Sequence, residues 1–125
     1  MTKPDRIDKS HEEIARICGV PNVDTHLFLC TGPDCVDTEQ GMAAWQKLKA
    51  KVKALFPRLP EARLYRTRVA CLRICKGGPI AVCYPQGRWF RGVTEDRVEE
   101  LVEYICSGAE EPHPLEFQRR PLPPP

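Results

Sequence analysis

Leu27, Phe28 and Leu29 form a brief continuous apolar run that ends in Cys30, which predicts a short buried strand. Met42, Trp45, Leu48, Val52 and Leu55 recur at helical spacing. Asp37 offers an N-cap with Gln40 three positions later as its return partner, and Pro57 and Pro60 close the segment, so a helix is predicted from about Thr38 to Phe56. Leu64 to Ala70 has the β-branched and aromatic content of a strand that ends at Cys71. Arg66 and Arg68, two apart, fall on one face of it, expected to be the wetter one. After a Gly77-Gly78-Pro79 corner, Ile80 to Tyr84 and Arg88 to Val93 flank Pro85-Gln86-Gly87 and predict a β-hairpin. Thr94 is the expected cap of a last helix with Val98, Leu101, Val102 and Ile105 as its apolar stripe and Gly108 as its stop.

The ends read differently. Residues 1–24 are polar and mixed, with a short helix expected around His11 to Ile17. Six of the fourteen residues from Pro112 to Pro125 are proline, which predicts an extended or disordered end. The expected organisation is a polar extension over 1–24, one domain over 25–110 and a Pro-rich tail over 111–125. Within the domain the order is strand, helix, strand, hairpin, helix. That order predicts an α+β fold, a four-stranded sheet with two main helices packed against it.

Composition narrows the setting. The 125 residues are 42% hydrophobic and 29% charged, an ordinary globular balance. No run approaches the roughly 18 apolar residues of a membrane span, so no membrane association is expected. Met1 to Ser10 is charged, without an apolar segment or cleavage site, and the expected location is cytoplasmic. Seven cysteines is a high count for that compartment, where disulfides are rarely maintained, so metal or redox chemistry is favoured over a framework of bridges.

The formal charge of +2 conceals a segregation along the chain. From Ala62 to Thr94 there is no Asp or Glu, while from Glu95 to Glu116 acidic residues stand against Arg97 alone. One basic and one acidic surface are expected. Arg63, Arg66, Arg68, Arg88 and Arg91 form either a docking face for an acidic redox partner or a solvated basic face. A nucleic-acid partner is not expected, because no recognisable binding module accompanies the arginines.

The cysteines carry the chemistry. Cys30 and Cys35 have four residues between them, Cys71 and Cys75 have three, and thirty-five separate the pairs. Each pair occupies a loop directly after a predicted strand, so neighbouring strands would bring four thiolates to one sheet edge. Iron–sulfur clusters are held by such sets, and these spacings are longer than the two-residue spacing common in zinc knuckles. Gly32, Gly77 and Gly78 allow close backbone approach to a bulky inorganic core. A structural zinc site and unligated thiols remain the alternatives for the four. Cys18, Cys83 and Cys106 lie in apolar stretches without ligand-like spacing and read as small core residues. His11, His26 and His113 pair with neither loop, which sets aside a Rieske-type centre.

This four-cysteine spacing, with the stretch CLRICKGGPIAVCYPQGRWFRGVT, resembles the thioredoxin-like [2Fe–2S] ferredoxins from about His26 to Phe117. It is also similar to the small cluster-bearing subunit of bacterial NADH:quinone oxidoreductase, although the free-standing ferredoxin is the closer match. The resemblance implies a thioredoxin-like mixed sheet and subunits that pair as homodimers. It also implies a [2Fe–2S] cluster with Cys30 and Cys35 on one iron and Cys71 and Cys75 on the other.

The expected function is one-electron transfer to redox partner proteins. The rivals are a zinc-stapled interaction module, a fixed iron–sulfur subunit of a larger redox enzyme, and a thiol–disulfide oxidoreductase. The last would normally use a Cys-x-x-Cys pair, which the chain lacks. No nucleophile and base pair, phosphate loop or nucleotide signature points to catalysis of substrate chemistry, so an electron carrier and no enzyme is expected. Arg73 and Lys76, inside the second ligand loop, are expected to stabilise the more negative reduced state. Trp89 and Phe90 are candidates to cover the cluster or to fill the core.

Overall fold

The computed structural model describes residues 6–124. Ser10 caps helix α1 (His11–Ile17) by accepting the Glu13 N–H. Then come β1 (Thr25–Cys30), α2 (Thr38–Leu55), β2 (Leu64–Val69), β3 (Ala81–Tyr84), β4 (Arg88–Phe90), α3 (Val98–Cys106) and β5 (Glu116–Arg119). The strands form one sheet in the order β2-β1-β3-β4-β5. β1 and β2 are parallel, joined by the long α2 crossover that a parallel pair requires, and the other neighbours are antiparallel.

Period-two alternation along the strands divides the sheet into two unlike faces. Leu27, Leu29, Leu64, Ala81, Cys83 and Phe90 point to one side and pack against Ala44, Leu48 and Val52 of α2 and Val98, Leu101 and Val102 of α3. Each of these is nearly inaccessible to water, and burying a large aliphatic or aromatic side chain in this way contributes about 1.5–3 kcal/mol. Both helices lie on this side, clasped by Lys47–Glu99 and Lys51–Glu103 pairs at 3.3 and 2.7 Å. On the other side Cys30, Cys35 and Ile80 form a smaller buried group under Val36, Val69, Leu72, Trp89 and Phe117.

The fold class is α+β as expected, with five strands rather than four. The additional strand, β5, lies inside the stretch expected to be a loose tail. It is held by Arg88 of β4, a residue expected on an exposed basic face. Arg88 is instead buried, and its guanidinium donates to Glu116 at 2.6 Å, to Tyr104 Oη at 2.9 Å and to the Ala109 carbonyl at 2.8 Å. Arg119 donates to the same carboxylate at 2.7 Å. Burial pushes the Glu116 carboxyl up, but hydrogen bonds and charge from Arg119 and Arg88 override it and hold the group at about 2.

Three smaller expectations are also corrected. Arg66 and Arg68 lie on the α2 side of β2, where Arg66 stacks over the Trp45 ring and Arg68 reaches Met42 Sδ. β2 is an edge strand that α2 covers only partly, so long side chains lay their stems across the gap. Thr94 does not cap α3 through its side chain, which is directed to Asp96; its carbonyl instead accepts from Arg97 and Val98 in the preceding turn. Of the three cysteines read as core residues, Cys83 is fully buried, Cys18 is half-buried, and Cys106 is exposed at the end of α3.

Candidate metal centre

The parallel register Cys30↔Val69 makes the loops after β1 and β2 leave the sheet side by side. Thr31 N–H donates to the Val69 carbonyl at 3.0 Å, continuing the ladder one step beyond the strands, and Cys30 Sγ lies 3.5 Å from the Ala70 carbonyl oxygen. The first loop turns into α2 at Asp37, whose side chain accepts the Gln40 N–H at 2.9 Å. Gly41 in the first turn packs so closely on Thr31 that any Cβ would overlap its backbone. The helix N-terminus is thereby fixed just beyond Cys35, where its dipole favours negative charge.

The loops are joined to each other. Gly78 N–H donates to the Cys35 carbonyl at 2.9 Å, and a Cβ at Gly78 would stand only 2.6 Å from that oxygen. Only glycine permits this approach. In the second loop Arg73 and Cys75 take positive φ angles of 69° and 55°, uncommon for residues with side chains. The resulting turn aims the Arg73 N–H at Cys71 Sγ, 3.1 Å away.

The structure groups the four cysteines in two pairs. Cys30 and Cys35 are buried and their sulfurs are joined as a disulfide; Cys71 and Cys75 are exposed, with sulfurs 3.9 Å apart. A bridge was not favoured by the sequence. The Cα atoms of Cys30 and Cys35 stand 7.1 Å apart, beyond the usual disulfide range of about 4.4–6.8 Å. Two thiolates bound at about 2.3 Å to one tetrahedral ion would lie about 3.8 Å apart, which the Cys71–Cys75 pair already satisfies. With Cys30 and Cys35 reduced, the set supplies four thiolates in two pairs, the donor chemistry of an iron–sulfur cluster.

Residues around the pairs add charge and shelter. Hydrogen bonding to Cys71 pushes the Cys75 thiol up, and desolvation, the Cys71 charge and the Asp34 carboxylate act in the same sense, against Arg73. Asp34 has a carboxylate oxygen within 4.8 Å of both sulfurs. Its place next to Cys35 inside a ligand loop is the one signal of it in the sequence. Trp89 packs on the Cys30 and Cys35 side of the sheet while Phe90, its neighbour, fills the main core.

A mixed sheet with one cysteine loop after each strand of its parallel pair, and both helices on the opposite face, defines a thioredoxin-like scaffold with a two-loop thiolate centre. Comparison with known proteins agrees. The chain is 34% identical over 94 residues to a 2Fe-2S ferredoxin of Clostridium pasteurianum, covering 71% of this chain and 91% of that one. It is 29% identical over 90 residues to a 2Fe-2S ferredoxin of Aquifex aeolicus, covering 68% and 81%. The solved structure of a thioredoxin-like [2Fe-2S] ferredoxin from Aquifex aeolicus superposes with a TM-score of 0.65 at 25% identity, over 78% of this chain and 93% of that one. No family model matches. The chain belongs to the thioredoxin-like [2Fe–2S] ferredoxins.

Proposed function

We propose that this chain is a soluble carrier of single electrons whose [2Fe–2S] cluster is held by Cys30 and Cys35 on one iron and by Cys71 and Cys75 on the other. The observation that carries the assignment is the joining of the two cysteine loops through Gly78 and Cys35, with the second pair of sulfurs already at the spacing of two ligands on one ion. Its relatives are ferredoxins, which favours this reading over a zinc-stapled module or a fixed subunit of a larger enzyme. Serine at each of the four positions in turn tests it. Each substitution is expected to lower or displace the bound iron and sulfide, whereas Cys106→Ser retains both; loss confined to one pair would overturn the four-ligand set.

A bound [2Fe–2S] cluster would supply a reversible one-electron couple; the protein supplies the asymmetry around it. Cys30 and Cys35 are shielded by Val69, Leu72, Trp89 and Phe117, which keep water from that half. Cys71 and Cys75 are exposed and form the edge through which a partner exchanges the electron. Each electron accepted there would add one negative charge. Arg73 and Lys76 stabilise that charge, the Arg73 N–H stabilises the Cys71 thiolate, and Asp34 opposes both.

The docking surface is correspondingly local. Arg73, Lys76 and the exposed Ile74 belong to the second ligand loop, and Arg91 is brought beside them by the Gly92 N–H bond to the Gly77 carbonyl at 2.7 Å. This group suits an acidic redox partner better than the dispersed arginines do, since Arg88 is buried and Arg63 is paired with Asp24 at 2.7 Å. Electron transfer that slows with added salt is the expected signature.

Pairing of two copies follows from the family resemblance, and the incompletely covered sheet face bearing His26, Phe28, Tyr65 and Trp89 is available to it. Sedimentation at the mass of two chains is the expected result. A cytoplasmic setting suits the four thiolates, because reducing compartments keep them reduced. No described helix is long and apolar enough to cross a membrane.

A further inference from the structure

We propose that a cavity at the β2 edge of the sheet binds a small amphipathic carboxylate, with the apolar body inside and the charged head on Lys49, Lys53 and Arg66. The cavity measures about 530 Å³, within the range of about 300–1,000 Å³ common for small-molecule sites. Val52 and Phe56 of α2, Leu64 of β2, and Leu59 and Ala62 of the link between them supply apolar walls, and Cys18 at the end of α1 lines it from the other side. None of the lining residues belongs to either cysteine loop, so the site is separate from the metal centre. Its walls are fastened to each other. Gly19 has a φ of 83°, and any Cβ there would overlap the Leu59 carbonyl oxygen, while the Asn22 side chain donates to the Pro60 carbonyl.

Two observations give the ligand its charge. The lining holds three cations and no Asp or Glu. On α2, Lys47 and Lys51 are turned to α3, where they pair with Glu99 and Glu103; Lys49 and Lys53, also four apart, line the cavity instead and have no ion pair among the described residues. Arg66 adds an unmet donor. Its guanidinium is seated over the Trp45 ring, yet its Nε–H is buried with no hydrogen-bond partner among the described residues. Buried donors are ordinarily paired, and a carboxylate oxygen beside a guanidinium forms the stronger, charge-assisted kind of hydrogen bond. The apolar walls set the rest of the ligand: inorganic phosphate would use the cations and leave the walls empty, and a neutral alcohol would fill the walls and leave the cations unmatched.

The test is isothermal titration of the purified full-length protein with octanoate, 1-octanol and inorganic phosphate, together with maleimide labelling of Cys18 followed by peptide mass spectrometry. One octanoate per chain is expected to bind and to slow the labelling of Cys18, with 1-octanol and phosphate each weaker by about tenfold or more. Lys53→Glu and Leu59→Asp, both at exposed positions, should each weaken octanoate by about three- to tenfold while the protein stays folded. No octanoate binding, or equal binding of octanol and octanoate, would overturn the site. So would unchanged affinity in both variants or unprotected Cys18 at saturation, which would put the ligand elsewhere. Iron and sulfide content should be the same in the variants as in the parent, so failure of this site and failure of the electron-carrier reading are distinguishable.

Discussion

The second ligand loop and the C-terminal clamp both concentrate charge, and they use it in opposite ways. At the clamp, Arg88 is sealed inside the protein and its donors are taken up by Glu116, Tyr104 and the Ala109 and Glu111 carbonyls. In the loop, Arg73 and Lys76 are exposed beside two sulfurs. Buried, saturated charge fixes one conformation, while exposed charge close to a metal centre is left to act on an electron and on a partner. A basic stretch that looks uniform in the sequence is therefore divided between architecture and function.

The comparison predicts its largest effect at the clamp. Arg88→Ala leaves the Glu116 carboxylate buried beside Arg119 alone, and a loss of about 3–5 kcal/mol is expected in denaturant unfolding. A loss within the range of an ordinary surface substitution would mean that the clamp holds nothing. Acid gives a related reading without mutation. Glu116 is held at about 2 in the folded chain against 4.5 when unperturbed, so its stabilisation is complete above 4.5 and is lost as pH falls from there towards 2. The loss is about 3 kcal/mol, and Glu116→Gln should flatten that part of the stability profile.

Much of this division could not be read from sequence. β1, α2, β2 and the hairpin follow from local apolar periodicity and caps, and the structure places them within a residue or a few of expectation. The spacing of Cys30, Cys35, Cys71 and Cys75 likewise pointed to one site, because adjacent parallel strands are enough to bring their loops together. β5 was not legible: Glu116–Arg119 is a four-residue stretch in a proline-rich region, and it pairs with β4 where the Glu116 carboxylate meets the buried Arg88. The role of Arg88 was hidden for the same reason, since alternation cannot tell an arginine beneath a clamp from one in solvent. Asp34 was missed because its significance depends on the approach of the second loop.

Smaller effects belong to the loop. Arg73→Glu should lower the midpoint potential by tens of millivolts, on the order expected for a change of two charges at a partly solvated distance. An unchanged potential in voltammetry would remove Arg73 from the account. Smallest of all, Cys71→Ser in the cluster-free chain should leave the thermal midpoint within about 2 °C of the parent, because the residue is exposed and outside both buried groups. A large drop would show that the second loop also supports the fold.

The central claim is most directly tested by iron, zinc and acid-labile sulfide analysis of anaerobically purified protein, with visible spectra before and after dithionite. The account predicts about two irons and two sulfides per chain and a brown colour that bleaches on reduction. About one zinc, no sulfide and no colour would contradict it.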